Sequence, residues 1–109
     1  MTAPVLALML LSAGFTQPPQ RNAIMAYMWG ESRFQVCAHS SMGEGLVGVA
    51  GKMRRRLHDY ARMSGCIPAR VQIAFLAHEW PRLYPVCEAR FKAGDLAAFK
   101  RCWGLGHRR

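Results

Sequence analysis

The sequence predicts an all-α protein of about five short helices, stapled by disulfides. Three observations carry that expectation. Apolar residues recur three and four positions apart through most of the chain, no stretch alternates like a strand or ends in a hairpin signal, and four cysteines stand far apart in only 109 residues. A chain this short forms one small domain, and it gains from covalent staples because it buries a limited share of its surface. Cys37, Cys66, Cys87 and Cys102 include no C-x-x-C pair, which argues against zinc and redox motifs of the usual spacing. An even count in a small chain reads instead as two disulfides formed in an oxidising compartment.

Taken in order, residues 1–16 hold an apolar core, Val5–Leu11, followed by small residues. That pattern resembles a secretory signal peptide cut near Ala13–Thr16, although no Lys or Arg precedes the core. The alternative is an N-terminal helix kept in the mature fold. The run is too short to span a bilayer, which takes about 20 apolar residues. Gln17-Pro18-Pro19-Gln20 reads as a linker, since two prolines block helix continuation. The helical domain is then expected over residues 17–109.

A first helix is expected from Asn22 to Ala38, ending in the Ser- and Gly-rich turn His39–Gly43. A second is expected from Glu44 to Met63, with Leu46, Val49, Met53, Leu57 and Tyr60 on its apolar face and Ser64-Gly65 closing it. Cys66-Ile67-Pro68 opens a third, with Val71, Ala74, Phe75 and His78 inward and Pro81 ending or bending it. Tyr84–Ala93 makes a fourth, Gly94 stops it, and Asp95 caps a last one through Cys102 or Trp103. The pairing of the cysteines stays open. Cys87 and Cys102 flank Gly94 closely enough to meet across an αα-hairpin. That leaves Cys37 with Cys66, and a straight 20-residue second helix would hold those about 30 Å apart.

Fifteen Lys and Arg against six Asp and Glu give a net charge of +9, none of it before Arg21. Such charge speaks to anionic partners and little to fold. Nucleic acid is not expected, because Arg54-Arg55-Arg56 is the only run of three Lys or Arg and no recognised binding module accompanies it. No cofactor or metal is expected: His78-Glu79 lacks the second His of a zinc-protease helix, and a Cys37–His39 nucleophile conflicts with a disulfide.

The candidate chemistry centres on Glu31. It falls within an apolar helical stripe that includes Ile24, Met28, Phe34 and Ala38, and a Ser/Gly turn follows it. Such a Glu is either a helix-edge residue reaching water or a carboxyl held in apolar surroundings, which keeps its proton more readily and can act as an acid; the second is the candidate chemistry. Glu44, thirteen residues on, is the nearest second carboxylate, and it reads more simply as a first-turn residue of the next helix. Trp29 lies on the other side of the helix and reads as structural.

Glu31-Ser32-Arg33-Phe34, then Ala38 and Ser40, then Gly43-Glu44-Gly45-Leu46-Val47-Gly48, resembles the pattern of goose-type lysozymes and lytic transglycosylases. Gly51–Leu57 and Gln72–Glu79 look closest to the phage tail lysozyme group, and the likeness spans roughly residues 20–92. The resemblance implies a small lysozyme-like helical domain that cleaves the β-1,4 bond between N-acetylmuramic acid and N-acetylglucosamine in peptidoglycan. Glu31 would be the general acid, with Ser32, Ser40, Gly45 and Leu46 beside the sugar. Two departures stand out: Gly48 occupies a position where the family commonly carries Gln, and the Ala-Tyr-Asn motif of many transglycosylases is missing.

The expected partner is therefore the peptidoglycan glycan strand, met by a secreted or periplasmic monomer (a virion-associated one included) without stable membrane insertion. Three competing readings are a lysozyme-like domain that binds without cleaving, a small exported helical immunity or inhibitor protein, and a cationic membrane-active protein. The last calls for one strongly basic amphipathic face, whereas the arginines here are dispersed.

Overall fold

The computed structural model describes residues 1–41 and 43–83, with the backbone alone for 80–83, together with Ala89, Lys92, Gly94, Asp95, Ala97, Lys100 and Arg101. Over the described residues up to 83, four helices and a two-stranded ribbon follow in the order α1 (Ala3–Ser12), α2 (Pro18–Ser32), β1 (His39–Ser40), β2 (Gly43–Glu44), α3 (Gly51–Ala61) and α4 (Ala69–Leu83). The protein is thus mostly helical, and the small antiparallel ribbon corrects the all-α expectation. Its register pairs His39 with Glu44 and Ser40 with Gly43. The helices expected over Tyr84–Ala93 and beyond Asp95, with Cys87 and Cys102, lie largely or wholly outside the described residues.

α1 is apolar on all sides. Leu6 and Leu10 are completely buried against the neighbouring helices α2 and α4, while Val5, Leu8 and Leu11 face outward. α2 begins on Pro18 and Pro19, which therefore start a helix where a linker was expected. The first turn has no intrahelical N–H bonds to lose, so prolines are tolerated there. Ile24, Tyr27 and Met28 form its buried face. α2 stops at Ser32, six residues short of the expected end, because Arg33 and Phe34 adopt left-handed backbone angles (φ 54° and 62°). Two successive left-handed residues without glycine cost on the order of 1–3 kcal/mol each. Backbone bonds from Arg33 N–H to Trp29 O and from Gln35 N–H to Ser32 O, each 3.0 Å, hold that turn.

The second expected helix starts seven residues late. Residues 44–50 form β2 and a tight turn, closed by Glu44 N–H to Val49 O and Val49 N–H to Glu44 O, both 2.9 Å. Leu46 and Val49 are buried there, as Met53 and Leu57 are on α3, whereas Tyr60, expected on the same face, is exposed. α4 runs two residues past Pro81 and buries Gln72, Ile73, Phe75, Leu76 and Glu79; His78, expected inward, is exposed. Arg56 Nη2 meets the buried Glu79 carboxylate at 2.6 Å and joins α3 to α4.

Late initiation of α3 also resolves the geometry of the first staple. Cys37 and Cys66 form a disulfide with Cα atoms 5.2 Å apart. The helix between them is 11 residues long, and the chain doubles back through the ribbon before it begins.

Candidate functional site

The end of α2, the ribbon and the 45–48 turn enclose a groove of about 320 Å³. Glu31 and Arg33 line it from α2, His39, Ser40 and Gly43 from the ribbon, and Gly45 and Gly48 from the turn. Glu31 is exposed in this groove, which corrects the expectation of a carboxyl enclosed by apolar side chains. Ile24 and Met28 turn into the core, and Glu31 sits where the helix face reaches water. Below it, Tyr27 is buried. Burial first, and the neighbouring Glu31 charge second, push its phenol well above the ordinary tyrosine range, so it remains neutral.

Gly48 carries the Glu31 carboxylate directly on its backbone. With φ +61°, a Cβ there would approach Glu31 Oε2 to 2.6 Å. The glutamine typical of the resembled family has no room at this position while Glu31 keeps its place. Gly45 (φ +76°) is equally constrained, since an added Cβ would collide with the side-chain oxygen of Gln72.

The expected sugar contacts divide. Ser40 and Gly45 line the groove. Ser32 also borders it but is only 4 % exposed. Its hydroxyl lies 2.9 Å from both Met28 O and Leu46 O, so its single hydrogen tethers the turn to α2. Leu46 is fully buried and belongs to the core, not to the groove wall. Its N–H donates to Gln72 Oε1 at 2.8 Å.

Gln72 is the organiser that sequence reasoning missed as such. Buried on α4, it also donates from Nε2 to Val36 O (2.9 Å) and Ile67 O (2.8 Å). One side chain thereby fixes the segment before the ribbon, the turn after it and the loop before α4. Its sequence signals are a polar residue set among apolar ones and its place at the head of the Gln72–Glu79 stretch.

Glu44 faces away from the groove, into a second cavity of about 310 Å³ beside the disulfide. Its Oε1 lies 2.6 Å from His58 Nε2 and 3.2 Å from Arg54 Nε. The expected role for Glu44, a first-turn helix residue, gives way to an ion-paired clamp between ribbon and α3. His58 Nδ1 lies 3.0 Å from Met63 O. A carboxylate and a carbonyl are both acceptors, so satisfying both ring nitrogens requires the imidazolium. The Glu44 hydrogen bond, followed by the Met63 carbonyl, accordingly raises the His58 pKa above its ordinary value.

Trp29, expected to be structural, is 48 % exposed. Among the described residues no group of three His, Cys, Asp or Glu is placed to hold a metal ion, and no helix is long and apolar enough to cross a membrane. Comparison of the chain with protein-family models, characterised proteins and solved structures found no match.

Proposed function

We propose that this protein is a peptidoglycan-cleaving glycosidase of lysozyme or lytic transglycosylase type, with Glu31 as general acid on the β-1,4 bond between N-acetylmuramic acid and N-acetylglucosamine. One observation carries the reading: Glu31 is the only carboxylate among the described residues lining the groove, where Gly43, Gly45 and Gly48 also line the wall. A glycan seated there would shield Glu31 from water, the condition under which a carboxylic acid holds its proton for transfer. Glu31 then protonates the glycosidic oxygen as the C–O bond breaks and positive charge develops on the sugar ring.

Most glycosidases place a second carboxylate opposite the acid. Glu44 is bound to His58 and Arg54 in the other cavity, which favours the substrate-assisted route. There the sugar's own hydroxyl closes on the oxocarbenium-like centre, Glu31 takes back the proton, and an anhydro-muramyl end forms. Net charge +9 favours the anionic cell wall. The Cys37–Cys66 disulfide fits a secreted or periplasmic location.

Turbidity loss of purified peptidoglycan tests the reading. Wild type is expected to clear it, and Glu31→Gln to lose about 10²–10⁴-fold in rate with an unchanged circular-dichroism spectrum. Equal clearing by both, or none by either, would sink the proposed acid. Binding without clearing would mark a non-catalytic glycan-binding domain.

A further inference from the structure

We propose that Trp29, Gly30 and Arg33 form a sugar-stacking shelf that extends the Glu31 groove across the end of α2 and takes an N-acetylated pyranose bearing a carboxylate. This rests on the glycan reading above and adds a subsite to it.

Trp29 remains 48 % exposed although two neighbours touch its ring. The Arg33 guanidinium carbon lies 5.0 Å from the ring centroid, and the Phe34 ring meets it edge-on at 5.1 Å. Arg33 also lines the Glu31 groove, so one side chain joins the aromatic surface to the candidate acid. The left-handed turn at Arg33 and Phe34 (φ 54° and 62°) sets both side chains at the end of α2 beside Trp29. Such strain persists only where surrounding contacts hold it, and it concentrates at binding sites.

Gly30 supplies an independent observation. It lies in α2 between Trp29 and Glu31, where glycine weakens a helix. No packing explains it: its φ is not positive, and a Cβ added there would meet no atom within 4 Å. The missing side chain leaves a bare strip of helix between the indole and the carboxylate. A pyranose ring presents flat faces of C–H groups suited to an indole, and a guanidinium pairs with a carboxylate through paired N–H donors. The lactyl group of muramic acid is such a carboxylate on glycan freed of the stem peptides that otherwise amidate it, and neutral chitin-type sugars lack it.

Calorimetry on the full-length Glu31→Gln protein, in which the proposed acid is removed, tests the shelf with two probes: a muramyl-containing tetrasaccharide without stem peptides, whose lactyl carboxylates are free, and chitotetraose. Trp29→Ala and Gly30→Leu, each in that background, are expected to weaken both probes about tenfold or more, corresponding to about 1.4 kcal/mol. Arg33→Gln is expected to weaken the muramyl probe alone, removing the preference for the carboxylate. Gly30→Leu fills open space and improves helix propensity, so its thermal midpoint should not fall, and lost binding there reads as obstruction. Parental affinity in both Trp29→Ala and Gly30→Leu overturns the shelf, as does the absence of binding by the parent. Clearing of peptidoglycan by wild type in the turbidity assay keeps the glycosidase reading alive in either case. Shelf-dependent binding without clearing leaves the shelf standing and removes the enzyme.

Discussion

At Gly48 the backbone serves as a seat for Glu31: the carboxylate rests where any side chain would stand, and the positive φ disfavours residues other than glycine. Placing glutamine at this position is therefore expected to do harm. Gly48→Gln should lower stability by more than about 1 kcal/mol and displace Glu31, measured as a fall in urea midpoint together with loss of peptidoglycan clearing. Gain of activity would show that the turn can accommodate glutamine. The neighbouring glycine has a different constraint, because Gly45 is pressed by Gln72 from α4. Glu31 itself was legible as the candidate acid from the Glu-Ser-x-Phe helix end and the small-residue turn. Its exposure stayed one of two alternatives, since periodicity locates a helix face but not the point where that face leaves the core.

Between elements, three ties hold the ribbon and its flanking segments against α3, α4 and the loop before α4: the Gln72 hydrogen bonds, the Cys37–Cys66 disulfide and the Glu44–His58 pair. With the two cysteines 29 positions apart in sequence, loop closure contributes roughly 3–4 kcal/mol in the chain-entropy account. The His58 tie depends on pH. Its pKa is raised in the folded protein, so its contribution is fully present below about 6.5, the unfolded value, and is lost as pH rises through the folded value. Thermal midpoints measured from pH 6 to pH 9 should fall more in wild type than in His58→Gln. Identical profiles would remove His58 as the clamp. Sequence reading missed this pair because residues 44 and 58 look like two positions on one helix. Only the ribbon, by turning the chain back at residues 45–48, brings Glu44 against α3.

At the scale of the whole molecule, one apolar core runs from α1 through α2 to α4 and includes Leu6, Leu10, Phe15, Ile24, Met28, Leu46, Ile73 and Leu76. Leu10→Ala in the full-length chain is expected to cost about 2–5 kcal/mol, read from urea denaturation. A loss under 0.5 kcal/mol would show that α1 adds little to the folded domain. The intact mass of protein recovered from a periplasmic extract tests the proposed cut near Ala13–Thr16, which would uncover the surface that Leu6, Leu10 and Phe15 now cover. Outside the core, α1 keeps Val5, Leu8 and Leu11 exposed, and net charge +9 is carried by residues after α1.

By itself the sequence indicated most of the buried apolar residues, that the chain is mostly helical, and that Glu31 stands on a helix ahead of a Ser- and Gly-rich turn. Those properties follow from side-chain hydrophobicity and local spacing, which act over a few residues. Tertiary structure decided the rest: that residues 39–50 form a ribbon and turn, that Cys37 meets Cys66, that Glu44 answers to His58 and not to Glu31, and that Trp29 faces outward. Each depends on where the chain reverses, and reversal is set by left-handed backbone at Arg33, Phe34, Gly45 and Gly48 together with the hydrogen bonds of a distant glutamine. No window of neighbouring residues contains all of those partners.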